Sequence, residues 1–579
     1  MIEKPRKKER FKFSAQKRAI LQQRLSQEGV SSPSEQSIPR RKDSGALPLS
    51  FAQERLWFLH QWEPESSWYN ISLALRLSGL LDISALESSL RALVQRHEVL
   101  RTTFEERLGS AVQVIKPQLS IQIPVIDLSG WQGLAGDDLV SKLVRLEAQR
   151  PFDLSRGPLL RISLLRLNGA CGRGQAPTLQ APQEHVLLLT LHHIVTDAWS
   201  MGVLMREWMT LYQAEMKGKP SPLPELPIQY ADYALWQRSF LQGTGSGIAS
   251  DLDEQLAYWR KQLAALEPLE LPTDYLRPRV KTDRGARLSR LLPKAVSDGL
   301  LHLCQKLDVT PFMLLLTSFQ VLLMRYTGQT DISVGTPIAN RRLSELEGLI
   351  GFFVNTLVLR TDLSGNPTFD LLLARVREVC LQAYMHQDVP FEKVVEELAP
   401  QRDLSRSPLF QVMLVMRGAG AIGAAQASVP FPTLEEGGMA PTRDLTEVGD
   451  ARSEPRPTSG NVGILQGNNP MATVPVITPL AMESVTSKFD LTLFVFETAS
   501  GKLGCVLEYS TDLFEAGTIT RMLEHFQTLL EGIVQDPKAH IVSLPLLTEA
   551  EYEQLLVDGN ATRTGGAVGT VPCACPPLR

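Results

Sequence analysis

A chain of 579 residues, 43% of them hydrophobic, is long enough to bury more than one core, and two lobes are expected rather than one. Its formal net charge of −4 and pI near 6.2 give no general attraction to phosphate backbones or anionic bilayers, which disfavours nucleic acid and membranes as partners. Six cysteines are scattered, and the close pair Cys573 and Cys575 lacks a second pair to complete a zinc site, so no metal is expected and a reducing, cytoplasmic setting is the simplest reading.

The start, MIEKPRKKERFKF, is basic but has no apolar signal core. Residues 14–28 carry Ile20, Leu21 and Leu25 at helical spacing, ahead of a Ser/Pro-rich run to Arg41, so residues 1–46 read as a short helix on a linker. From Leu47 to about Pro227 strand and helix patterns alternate: Leu73–Leu77 and Leu159–Leu167 as strands, Ile83–Val94 as a helix. Within this part lies HVLLLTLHHIVTDAWSM, His185 to Met201. The run Val186–Leu191 is short enough for a buried strand; Thr196 and Asp197 are helix-capping types, and Trp199–Tyr212 has helical spacing. If the strand persists through His192 and His193, one ring faces the core and the other a cleft. A second lobe, residues 228–547, contains a helix Pro311–Tyr326 opened by proline and strands over Asp331–Pro337 and Phe353–Leu359; Phe312–Met324 is too short and interrupted to span a bilayer. Between Arg417 and Ser487 the chain is rich in Gly, Pro, Ser and Ala, and residues 418–484 read as a disordered surface insertion.

His192, His193 and Asp197 match the HHxxxDG motif of the condensation domains of nonribosomal peptide synthetases, with Ala198 where glycine is usual. Further stretches resemble that family's motifs in its order: Ser50-Phe-Ala-Gln-Glu-Arg-Leu-Trp57, Arg96-His-Glu-Val-Leu-Arg-Thr-Thr103, Tyr230-Ala-Asp-Tyr233, Ile350-Gly-Phe-Phe-Val-Asn-Thr356, His386-Gln-Asp-Val-Pro-Phe391 and Arg402-Asp-Leu-Ser-Arg-Ser-Pro-Leu-Phe-Gln411. They run from Leu47 to about Leu547 once Lys488-Phe-Asp-Leu491 is included, and look like the subtype that joins an L-configured donor to an L-amino acid. The resemblance implies an α/β fold of two chloramphenicol-acetyltransferase-like lobes, a V-shaped pseudo-dimer with a tunnel between them, although no residue-level repeat is visible. It divides the chain into a leader (1–46), an N-lobe (47–227), a C-lobe (228–547) and a tail (548–579) that resembles the opening of an adenylation domain and reads as truncated.

What the resemblance implies about function is an amide bond formed between a donor aminoacyl or peptidyl thioester and the amine of an acceptor aminoacyl thioester. Both substrates would arrive on the phosphopantetheine of upstream and downstream carrier proteins; the chain itself would bind no cofactor, and an adenylation domain is a further expected partner. His193 is the expected catalytic residue, as base or as positioning group, and His192 its scaffold. Asp197 would be the structural partner of Arg341, with a helix N-cap as the plainer reading. Ala198 would strain its loop if the position needs a positive φ, or would narrow the passage if glycine only leaves room. Asn355 would line the tunnel or tie the lobes together, unless it is a hydrogen-bonded turn residue. An α-amino group titrates near ~7.7–8.0, so the demand on a base is modest. Base assistance is worth about 10²–10⁴-fold, whereas near-attack positioning supplies effective molarities of roughly 10⁵–10⁸ M. The rivals are a glycerolipid acyltransferase, which the HxxxxD spacing also fits, a metal hydrolase, an epimerisation-type relative, and an inactive fragment that only docks partners.

Overall fold

The computed structural model describes residues 37–42, 47–131, 134–167, 184–241, 249–398, 403–417, 475–480, 486–498 and 500–554. In the first half lie β1 (Leu47–Pro48), α1 (Phe51–Trp62), β2 (Asn70–Ser78), α2 (Ile83–Arg96), β3 (Thr102–Arg107), β4 (Ser110–Ile115), β5 (Val125–Asp127), α3 (Leu134–Gln149), β6 (Leu160–Leu167), β7 (Glu184–His192), α4 (Ala198–Met216) and α5 (Tyr230–Leu241). The second half holds α6 (Ala249–Gln262), β8 (Gly285–Leu291), α7 (Lys294–Lys306), α8 (Pro311–Thr327), β9 (Asp331–Ile338), β10 (Asn355–Asp362), α9 (Phe369–Met385), α10 (Phe391–Leu398), β11 (Val412–Arg417), β12 (Val476–Pro479), β13 (Leu491–Glu497), β14 (Leu503–Ser510) and α11 (Ala516–Gln535). The mixed α/β composition is the one expected from the alternating patterns.

Two sheets organise the molecule. The first has strand order β12-β2-β7-β6-β5 and the second β10-β9-β11-β13-β14-β8, with a three-stranded β1-β4-β3 sheet beside the first. β7 is central in its sheet and buried along nearly its whole length, which is why its sequence is a continuous apolar run rather than an alternating one. It pairs antiparallel with both neighbours, setting His192 opposite Asn70 and Leu191 opposite Leu160. In the second lobe α8 is buried on nearly every side. Thr310 caps it through the Met313 N–H, Pro311 opens it, and Gly328 at φ 73° closes it, so a helix that apolar is explained as the spine of a core. Among the described residues no single helix is long and apolar enough to cross a membrane.

The apolar interior falls into two main clusters, and their membership revises the expected division at residues 227/228. Ile228, Tyr230 and Tyr233 belong to the first cluster, whereas Trp259 begins the second, so the chain changes lobes between α5 and α6. The reason is packing: α5 lies against β1, Tyr230 bonds Ser50 at the cap of α1, and the Tyr230 and Tyr233 rings pack on Phe353. Conversely Leu346, Leu349, Ile350 and Phe353, from the second half, lie in the first core. A further correction concerns the segment 418–484. Its end is not structureless: Val476–Pro479 forms β12, which pairs antiparallel with Leu75–Ser78 at the edge of the first sheet. β11 and β13, both in the second sheet, flank this excursion, so the chain crosses to the first lobe and returns. The remainder of that segment, and the helix expected at residues 14–28, lie outside the described residues. The strand expected from Phe353 begins at Asn355, because Phe353 is spent on the lobe junction.

Candidate active site at the lobe junction

β7 ends at His192, and His193 starts a 3-10 turn, His193–Val195, that leads through Thr196 and Asp197 into α4. The strand therefore does not persist through both histidines; the turn separates the rings. His192 is 4% exposed and its Nδ1 accepts the Ile194 N–H at 3.1 Å. Phe152 meets it edge-on, with Tyr69 and His60 further round. Burial, with the neighbouring His193 second, holds its basicity well below the usual range.

His193 is half-buried. Its N–H donates to the Tyr69 carbonyl at 2.7 Å, and its ring lies edge-on to Phe352 with centroids 4.8 Å apart. Phe352 comes from the Ile350–Thr356 motif of the second half, so the ring stands where the two halves meet. Nδ1 is buried and has no hydrogen-bond partner among the described residues. Burial comes first and the Lys488 charge second in pushing the ring's pKa down to about 4, against a weaker pull upward from Asp197. His193 is consequently a neutral imidazole throughout the physiological range. The Gln53 amide of the first motif donates to the Ile194 carbonyl at 3.1 Å and so clamps the turn that carries it.

Asp197 does not orient His193. Its Oδ1 accepts the Ser200 N–H at 2.7 Å, capping α4, and its Oδ2 accepts the Phe353 N–H at 3.0 Å. Arg341 Nη2 reaches both oxygens at 3.3 and 3.4 Å, with the two side chains 1% and 0% exposed. The arginine partner and the helix cap, weighed above as alternatives, are thus one arrangement. Arg341 also donates to the Leu346 and Leu349 carbonyls and to Ser200 Oγ, and its guanidinium lies 4.1 Å from the Phe353 ring centre. Ser200 Oγ in turn donates to the Gly351 carbonyl at 2.8 Å and accepts the Gly351 N–H at 3.0 Å. A Cβ on Gly351 would stand 2.0 Å from Tyr230 Cδ2, so only glycine lets this loop approach the first lobe.

Ala198 is the first residue of α4, exposed, and is not among the residues of positive φ. Its methyl is therefore unstrained, and the strain expected of a positive φ does not arise. Asn355 is 6% exposed and spends every polar atom within the second half: Nδ2 donates to the Gln387 and Val389 carbonyls, and Oδ1 accepts from Thr356 and Phe391. It is a hydrogen-bonded residue at the first position of β10, and none of these bonds ties the lobes directly. Its influence there is indirect, since the loop it fastens presents Glu392 to Arg55 of the first motif at 3.3 Å.

Sequence reasoning missed four residues. Ser200, Gln53 and Tyr230 carry ordinary polar side chains inside apolar patterns, and only the buried pairings reveal them; Tyr230 Oη bonds Ser50 Oγ at 2.8 Å and the Phe352 carbonyl at 2.6 Å. The fourth, Lys488, lies just after the Gly/Pro/Ser-rich segment, and its Nζ stands 4.6 Å from the Tyr69 ring centre.

The Condensation domain family model matches residues 43–429 and 468–556. A linear gramicidin synthase protein of Brevibacillus parabrevis is 44% identical over 517 residues, 89% of this chain and 6% of that protein. Phosphinothricin tripeptide synthetase PhsC of Streptomyces viridochromogenes is 38% identical over 545 residues, 94% of this chain and 44% of that one. The chain thus spans less than half the length of either relative. Among solved structures, the X-domain from teicoplanin biosynthesis aligns with a TM-score of 0.71 at 27% identity, covering 88% of this chain and 100% of that one. The first condensation domain of the calcium-dependent antibiotic synthetase shares the fold, with a TM-score of 0.62 at 19% identity over 87% of this chain and 100% of that one.

Proposed function

The chain belongs to the condensation-domain family of nonribosomal peptide synthetases, and on that premise we propose that it joins a donor aminoacyl or peptidyl thioester to the amine of an acceptor aminoacyl thioester. Upstream and downstream carrier proteins supply both substrates on phosphopantetheine arms, an adenylation domain loads the acceptor carrier, and the chain contributes no cofactor. The observation that carries this reading is the His193 ring, half-buried at the meeting of the lobes with no carboxylate hydrogen-bonded to its Nδ1 among the described residues.

The acceptor nitrogen attacks the thioester carbonyl carbon, and the carbonyl π pair moves onto oxygen. When that pair returns, the C–S bond breaks; the proton shed by nitrogen ends on the departing sulfur, leaving the amide on the downstream carrier and a free thiol upstream. A ring with a pKa of about 4 is poorly matched to an ammonium titrating near ~8, and complete transfer between them is uphill by roughly 5 kcal/mol. The neutral imidazole instead accepts a hydrogen bond from the incoming N–H and fixes its line of attack. Most of the acceleration then comes from holding two tethered reactants in near-attack geometry. Asp197 and Arg341 serve by keeping the loops on either side of the ring in register.

The test is direct. Given an upstream carrier bearing an aminoacyl thioester and a downstream carrier bearing another, mass spectrometry of the intact carriers should show the dipeptide on the downstream carrier. Verified loading with no transfer across several donor and acceptor pairs would overturn the reading in favour of a docking module.

A further inference from the structure

Attack on a thioester puts negative charge on the carbonyl oxygen, and a site that does this chemistry gains from a donor aimed at that oxygen. The arginines around His193 are already engaged: Arg341 with Asp197, Arg55 with Glu392, Arg161 with Glu147. Lys488 is different. Its side chain is exposed and forms no ion pair among the described residues. Its Nζ stands 4.6 Å from the centre of the Tyr69 ring, whose own carbonyl holds the His193 N–H. The backbone beneath it is pinned. Lys281 Nζ donates to the Lys488 carbonyl at 2.7 Å, the Ser487 hydroxyl to the Phe489 carbonyl at 2.6 Å, and the Ser487 N–H to the Asp283 carbonyl at 2.7 Å. The next residue but one, Asp490, is locked to Arg277. A long cationic side chain is thus anchored on the second lobe and reaches across to the first beside the catalytic turn.

We propose that Lys488 is a second catalytic residue, whose ammonium donates a hydrogen bond to the carbonyl oxygen of the donor thioester as that oxygen becomes an oxyanion. The proposal rests on the amide-forming reading above. It gives the lysine a part in the step already balanced there: the π pair that moves onto oxygen is met by the Lys488 N–H, and released when the C–S bond breaks, with no net proton taken from the lysine.

The charge at this position is conditional on pH. Burial of the ammonium among protein atoms pushes the Lys488 pKa down to about 8, opposed by Glu508 and reinforced by Arg55 and Arg287. The groups facing it are Arg55 on α1, Tyr69 before β2, His192 at the end of β7, His193 opening the turn after it, Arg287 on β8 and Glu508 on β14, with Arg287 already spent on Glu508. Because this pKa is lowered, the positive charge is present below about 8 and lost above it.

The experiment is single-turnover amide formation between loaded carriers by wild type, Lys488→Met and Lys488→Arg, each followed from pH 6.5 to 9.5. Lys488→Met should lose roughly 10²–10³-fold in rate at saturating carriers, the scale of one oxyanion donor, with little change in the carrier concentration needed for half-maximal rate. Lys488→Arg should retain most of the rate and keep it above pH 8, where wild type declines. A Lys488→Met protein that turns over like wild type overturns the proposal while leaving the amide-forming reading intact; a wild type that makes no amide overturns that reading instead. If Lys488→Met does not fold, the arginine profile decides alone, and an unaltered alkaline decline refutes the role.

Discussion

Position 197 shows how one carboxylate can be fully committed to architecture while sitting four residues from the histidine proposed to meet the acceptor amine. Its partners are a helix N-terminus, a main-chain N–H from the other half and a buried guanidinium. Removing either member of such a pair strands the other, at about 3–5 kcal/mol. Asp197→Ala and Arg341→Ala should therefore each lower the melting temperature by several degrees, and the double variant should be less damaged than the sum, as read from a thermal melt. Strict additivity would show that the two do not act as a pair. His193 and His192 both have depressed basicity in the fold. An unfolded histidine takes its proton near ~6.5, so stability is full above that pH and falls as pH drops below it. Melting temperature should decline from pH 7 to pH 5, and His193→Phe should flatten the decline; an unchanged slope in that variant would contradict the burial argument. His192, His193 and Asp197 can be named from the sequence because the motif fixes their order, and Arg341 because the resemblance implies an arginine partner for Asp197. Ser200, Gln53 and Lys488 cannot, since their importance lies in partners more than a hundred positions away or in the absence of any ion-pair partner among the described residues.

Most elements are legible in the sequence because their cause is local: the apolar run of β7, the Thr310-Pro311 opening of α8, the amphipathic face of α2. What is not legible depends on contacts made elsewhere. β12 is four residues in a low-complexity setting and exists because the edge of β2 is there to pair with it. Replacing Val476–Pro479 by a Gly/Ser run should raise amide hydrogen exchange at Leu75–Ser78 with little effect on the second sheet; protection as in wild type would mean the edge is covered by something else. The Ile350–Thr356 loop is similar. In the sequence alone Phe353 looks like the first residue of a strand, but the Gly351 contact with Tyr230 draws the loop into the first core and delays β10 to Asn355. Gly351→Ala should cost about 1–3 kcal/mol by overpacking and shift Phe352 against His193. The expected result is a lower melting temperature with a larger fractional loss of amide-forming rate, and a variant as active as wild type would show that the loop has slack.

Across the whole molecule the halves are fastened on several sides of His193. The Ile350 N–H reaches His97 Nδ1 at 3.4 Å, Trp199 Nε1 donates to the Glu347 carbonyl at 3.0 Å, Arg55 meets Glu392, and β12 joins the first sheet from the second. Such redundant ties suit a site whose main contribution is geometric, because effective molarity is lost when two reactants drift by even an ångström. The two lobes and their junction follow from the ordered motifs. The exact division does not, because α5 follows its aromatic contacts rather than its place in the chain. The claim that positioning outweighs proton transfer is tested most directly by the single-turnover rate of His193→Ala with both carriers loaded and saturating, measured from pH 6 to 9. The account predicts a loss of about tenfold to a hundredfold, at or below the low end of base catalysis, and an acid limb that stays where the acceptor amine places it. A loss near 10⁴-fold, accompanied by disappearance of a wild-type limb near pH 6.5, would contradict it.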